Sequence, residues 1–156
     1  MPVVEGFGVS SSKTLTINTT QVGNIGVGED DLMSYAVPAN TLDTNGDSLE
    51  VIAWGDHAAN VNTKLIKIRF GAAMLAVASG APNGGVWFCH FLITRTGATA
   101  QLAISFFIRS ADAATSTVSG APAETLSGAV TLKFTGEATA NDDLVQKGMI
   151  VRKIKA

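Results

Sequence analysis

Apolar and polar residues alternate with period two, and clusters of Gly, Asn, Asp and Ser break the alternation at intervals; this pattern restricts the fold more than any other feature. In AVTLKFTG, Val130, Leu132 and Phe134 share one side and Thr131, Lys133 and Thr135 the other. KLIKIRF sets Ile66, Ile68 and Phe70 opposite Lys67 and Arg69. QLAISFFIR places Leu102, Ile104, Phe106 and Ile108 together, the expected buried side of a half-buried strand. Gln101, Ser105 and Arg109 make its wet side, with Phe107 as the exception. GVWFCHFLIT is apolar on both alternating sets, Val86-Phe88-His90-Leu92 and Trp87-Cys89-Phe91-Ile93, and should be covered on both sides, centrally in a sandwich or at a subunit contact.

Further strands are expected at Thr14 to Asn18, Leu32 to Val37, Ser48 to Trp54, Met74 to Ala78 and Lys147 to Ile154, about nine in all. EDDLMSYAV and NDDLVQKGMIVRKI open with acidic, cap-like residues and offer a helical alternative. In the second, Gly148 and β-branched Val145, Ile150, Val151 and Ile154 oppose it, leaving at most a helical turn. Ser110 to Ser127, rich in Ala, Ser, Thr and Gly, reads as a long connection or as short edge strands. That length suits an antiparallel β-sandwich whose strands cross between sheets.

At 156 residues the chain is one ordinary domain. Hydrophobic residues make up 46% and charged residues 15%, which excludes a disordered chain and disfavours a charged helical bundle. A net charge of -2 without a basic block argues against nucleic acid; Lys64, Lys67, Arg69 and Arg95 read as a solvated strand face. The single cysteine, Cys89, rules out an internal disulfide and reads as a small core hydrophobe, with His90 on the opposite face. MPVVEGFGVSSSK does not read as a secretory signal, and no apolar run approaches the roughly 18 residues of a membrane span. A chain made in a cytoplasm and soluble there, unless it leaves inside a larger assembly, is expected.

LDTNGDSLEVIAWGDHA holds two candidate sites. Asp43, Asn45 and Asp47 alternate as in an EF-hand loop, but Ser48 stands where the bend needs glycine and Trp54 where a bidentate glutamate is needed. Asn45-Gly46 instead predicts a turn into the strand from Ser48. Asp56 beside His57 invites acid-base chemistry, yet adjacent residues rarely orient one another, and His57 is expected as an exposed loop histidine. Glu50 and Asp56 are the one carboxylate pair worth testing for a hydrolase.

The block from Leu42 to Gly71, the tryptophan strand from Gly85 to Arg109 and the closing run from Ala129 to Ile154 together resemble small virion proteins of tailed bacteriophages. The likeness covers about residues 30 to 154, and its elements keep their order: GDSLE, WG, Asn60 to Lys64, Phe70-Gly71, Arg95 to Gly97 with Gln101, and the last strand. The resemblance implies a jelly-roll sandwich of about eight to nine strands over residues 29–156, an N-terminal arm over 1–28, and a homotrimer. It implies a capsid decoration (cement) protein stabilising the head, located on the virion surface and partnered by itself and by the major capsid protein or other virion proteins; the alternative is a head- or tail-fibre knob that binds the host. No catalytic residue, cofactor or metal is carried over, and no nucleic acid or membrane partner. Trp54, Trp87 and Phe107, large side chains that interrupt polar faces, are the candidate subunit contacts, with ordinary sandwich core as the competing reading.

Overall fold

In a computed structural model, which describes residues 11–112 and 115–156, eleven strands form two antiparallel sheets, and no helix occurs among the described residues. They are β1 Ser12–Asn18, β2 Val22–Gly23, β3 Gly28–Val37, β4 Ser48–His57, β5 Lys64–Phe70, β6 Ala73–Gly80, β7 Val86–Gly97, β8 Ala100–Arg109, β9 Thr115–Gly120, β10 Val130–Ala138 and β11 Leu144–Ile154. The large sheet runs β1-β11-β4-β7-β8-β9 with β2 also on β11, and the small sheet runs β3-β10-β5-β6. After β3 the chain visits the large sheet for β4, the small for β5 and β6, the large for β7 to β9, the small for β10 and the large for β11. These crossings place the two sheets face to face over one core.

Alternation builds that core. Leu49, Val51 and Ala53 of β4, Trp87, Cys89, Phe91 and Ile93 of β7, and Met149 and Val151 of β11 point inward from the large sheet. Ile66, Ile68, Phe70, Leu132 and Phe134 meet them from the small one. Trp87 stands at the centre, 5.9 Å from Phe107 on its own sheet and 6.3 Å from Phe134 on the other. Stacked aromatics of this kind add to plain burial and fix how the sheets seat.

Both segments with a helical alternative are strands, within β3 and β11. The long connection after β8 carries β9 as an edge strand. Of the expected arm over 1–28, residues 1–10 lie outside the described residues. From Ser12 the segment is part of the sandwich, since β1 pairs with β11 from Ser12↔Ile154 to Asn18↔Met149, and β2 pairs with it at Val145↔Gly23. Apolar Leu15 and Val22 pack against the core, so the boundary at residue 28 cuts through the sheet.

Candidate interaction surface

The decisive local feature is β8, which lies opposite to the expected way. Gln101, Ala103, Ser105 and Phe107 face the core, and Leu102, Ile104, Phe106 and Ile108 face outward. A slip of one residue would exchange the two sets, but the register is fixed. β8 pairs with β7 from Trp87↔Arg109 to Thr94↔Leu102, and buried Gln101 closes a two-way clasp, its Nε2 donating to Glu124 O at 2.9 Å and its Oε1 accepting from Glu124 N at 3.0 Å. The chain thus spends inward positions on polar groups it must satisfy and leaves its apolar set in water.

Cross-strand pairing continues this face over the large sheet. One row runs Ile17, Ile150, Ile52, His90, Phe106; the next runs Gly148, Trp54, Phe88, Ile108; a third runs Arg152, Glu50, Leu92, Ile104. Val86, Phe88, Leu102, Ile104, Phe106 and Ile108 are between 37% and 59% exposed. Six such side chains leave roughly 500 Å² of apolar surface in water, at the upper end of what monomers carry. Between β7 and β8 the face dips into a depression of about 340 Å³ lined by His90, Leu92, Ile104 and Phe106. Glu50 accepts from His90 Nε2 at 3.0 Å and from Arg152 Nη1 at 3.3 Å, and Asp56 accepts from Lys147, so these charges on the face are paired within the chain.

Of the three residues proposed for a subunit contact, the structure puts only Trp54 on this face. Its indole lies across Gly148 of β11, where any Cβ would collide with the ring. Trp87 and Phe107 are 1% and 5% exposed and stack on each other inside the sandwich, so their side chains are not offered to a partner. A large residue that broke the alternation of β8 marked its inner row, and the outer row consisted of the residues assigned to the core.

The remaining candidates resolve into structure. Gly46, at φ +96°, makes the turn read from Asn45-Gly46. Burial works against ionisation of Asp47, but the Ala156 N–H, Lys153 and the Asp43 and Thr44 N–H groups outweigh it and hold its pKa well below the usual carboxylate range. The Lys153 ammonium sits 2.9 Å from Asp43 and 3.0 Å from Asp47. Arg95 ties the same turn to β7 through Leu42 O at 2.7 Å and Asn45 Oδ1 at 3.1 Å.

His57 is the last residue of β4 and is 6% exposed, a correction to the exposed-loop expectation. Burial first, then Arg109 and Lys64, push its pKa down to about 4. Asp56 lies on the opposite face, as strand alternation requires. Glu50 and Asp56 are six residues apart along one strand, hence about 20 Å, too far to act on one glycosidic bond. The Cys89 thiol is pushed up to about 12 by burial, which suppresses the thiolate.

Composition alone did not disclose the clasp around Lys64. Lys64, expected on a solvated strand face, is 1% exposed, and its ammonium donates to Asn60 Oδ1 at 2.8 Å, Asn60 O at 3.1 Å, Asn62 O at 3.2 Å and Pro82 O at 3.1 Å. Buried Asp143 accepts from the side chains of Asn60 at 2.6 Å and Asn62 at 2.9 Å. The Asn-x-x-x-Lys spacing was the visible trace of this knot, which fastens the β4–β5 loop to the β10–β11 loop.

No family model and no curated protein matches the chain. Among solved structures it is similar to the CBM2 module of the evolved Dit of Lactobacillus casei BL23 phage J-1, at 12% identity and a TM-score of 0.45, over 94% of this chain and 98% of that one. A similarity this distant fixes neither the fold nor the function of this chain.

Proposed function

We propose that this protein is a non-enzymatic structural subunit of a tailed-bacteriophage virion, a homotrimeric decoration protein that stabilises the head. The observation that carries the self-association is the apolar outer face of the large sheet, held outward by a fixed register. Covering about 500 Å² per copy contributes on the order of 10 kcal/mol, against association costs of the same order. The virion setting rests on the resemblance of the ordered sequence elements to small phage structural proteins. The fate of the chemically able side chains agrees with a role other than catalysis: Cys89 is a buried thiol, Asp56 and His57 point apart, and Glu50 is held by His90 and Arg152.

Three identical copies on one axis would attach to a shell through three equivalent contacts, and simultaneous attachment multiplies a weak single contact. Sedimentation of the purified protein should give a trimer, and the trimer should add to undecorated shells with a defined stoichiometry. Failure to bind shells, together with adsorption to host cells that blocks infection, would replace this reading with the fibre-knob one.

A further inference from the structure

Three connections between the sheets lie side by side at one end of the sandwich. β2 and β4 both pair with β11, and β3 and β5 both pair with β10. The loops β2–β3 (24–27), β10–β11 (139–143) and β4–β5 (58–63) therefore cross from sheet to sheet in that order, the outer two about 10 Å apart. Buried side chains fasten them together. Asn24 donates to Gly26 O at 3.1 Å and Ala140 O at 2.9 Å and accepts from Leu144 N at 2.9 Å. Asn141 Oδ1 accepts from Gly26 N at 2.6 Å, and Asp143 holds Asn60 and Asn62 on the other side.

What this fixed end shows to solvent is apolar at both edges. Ile25, Val27 and Val61 are 73%, 84% and 76% exposed, more than any apolar side chain on the outer face of the large sheet. Between them the middle loop presents Asn141 and Asp142, both exposed. The three loops contain no Lys or Arg, so Asp142 and half-buried Asp30, which accepts from the Ile25 N–H, set the sign of this end. A single exposed aliphatic residue is ordinary. Three of them on loops immobilised by buried polar groups make a preorganised contact, which loses little freedom on binding.

We infer that this end is a docking surface for a second protein, one that sets a Lys or Arg side chain between two apolar recesses about 10 Å apart. Its negative sign disfavours phosphate-rich partners, since nucleic acid and an anionic leaflet would both be repelled. That the partner is a shell subunit rests on the decoration reading above; the chemistry of the contact does not. One such end per copy gives the three equivalent contacts of a trimer.

The test spoils the two chemistries separately. Ile25→Asp with Val61→Asp removes both apolar edges, and Asp142→Asn removes the charge with a residue that tolerates the same left-handed backbone, φ +57°. Met74→Asp on β6, a side chain 53% exposed, is the control. Circular dichroism and sedimentation should be the same for all four proteins. Binding to undecorated shells should weaken at least about tenfold in the double variant. In Asp142→Asn it should weaken about threefold and lose most of its salt dependence, while Met74→Asp binds as the wild type does. A wild type that binds shells alongside an unaffected double variant or Asp142→Asn, or an equal loss in Met74→Asp, overturns the docking surface and leaves the decoration reading standing. A wild type that binds no shell overturns both. Flotation with phosphatidylglycerol vesicles that Ile25→Asp abolishes would make this end a membrane contact and overturn the inference too. Should the double variant misfold, Val27→Ser replaces it, with binding expected to weaken about threefold; unchanged binding would overturn the inference.

Discussion

The two outer faces of this sandwich obey the same alternation and are filled in opposite ways. On the small sheet Lys67 lies 2.5 Å from Glu29 and 3.0 Å from Glu137, Arg69 lies 3.0 Å from Glu29, and Lys133 lies 2.6 Å from Asp31. Thr135 adds a hydrogen bond to Glu29 at 2.7 Å. Long side chains lay their methylenes along the strands and set their charges against each other, a finish suited to water. On the large sheet the outward positions of β7 and β8 hold mostly Val, Phe, Leu and Ile, with Trp54 and Ile52 on β4, and the charges Glu50, His90 and Arg152 among them. Both faces are compatible with a stable sandwich, so stability does not explain the difference. On the function proposed above, the difference reflects what each face meets: solvent on one side, more protein on the other.

The largest test compares neighbours on one strand. Phe107→Ala removes a ring stacked on Trp87 and should cost about 4 kcal/mol. Phe106→Ala, one residue away on the outer face, should change the stability of the folded monomer by about 1 kcal/mol or less. Urea unfolding at protein concentrations where sedimentation shows a single monomeric species measures both. Equal losses would mean that the outer face is part of the fold and not a surplus, and the comparison would collapse.

Next in size is an acid effect from between the two faces. His57 is held neutral in the folded chain, its pKa lowered from 6.5 to about 4. The unfolded chain therefore takes up this proton first, and stability falls as pH drops from about 6.5 to 4, by on the order of 3 kcal/mol in total. His57→Leu should flatten that part of the pH–stability curve. A slope that survives the substitution would assign the effect to another group.

These tests bear on residues the sequence placed well and badly. Nine strands were legible because turn residues punctuate the alternation. β2 has only two residues, and β9 lies in a run of small residues where alternation carries little contrast. Which residues share a face was legible for β5, β7, β8 and β10, whereas in β11 a bulge between Gln146 and Gly148 breaks the alternation. Which face points inward was not legible for β8, because periodicity is blind to direction and Leu102, Ile104, Phe106 and Ile108 make the stronger apolar row. The correcting signal was Phe107 in line with Gln101, Ala103 and Ser105: one large ring among small and polar residues fits a core already filled by Trp87. Trp54, singled out because it interrupts a polar face, lies half-buried on the outer face across Gly148. Of the Lys64 knot only the Asn60-to-Lys64 spacing was legible; Pro82 O and the Asp143 carboxylate, which complete it, are distant in sequence and are brought in by folding.

On the small-sheet face, Glu29 is the hub. Lys67 first, then Thr135 and Arg69, hold its pKa down to about 2 against the opposing cost of burial. A carboxylate lowered in this way stabilises the fold above about pH 4.5, and the contribution is lost as pH falls towards 2. Solvent screens this partly exposed site, so Glu29→Gln should cost about 1 kcal/mol at neutral pH and nearly nothing near pH 2. Chemical denaturation at the two pH values checks it. A loss that persists in acid would mean Glu29 acts by packing, and the mesh would not be the ionic finish described above.

Salt should separate the faces with the smallest effect. Raising sodium chloride shortens the Debye length to about 3 Å at 1 M and weakens the exposed ion pairs of the small sheet by a few tenths of a kcal/mol. The large-sheet face gains instead, because excluded salts such as sulfate strengthen apolar burial. In one titration with ammonium sulfate, sedimentation should show association tightening, and the stability difference between the wild type and Glu29→Gln should shrink. Association that loosens in sulfate would mean the copies are held by charges, and the apolar rows on β7 and β8 would then need a partner other than this chain.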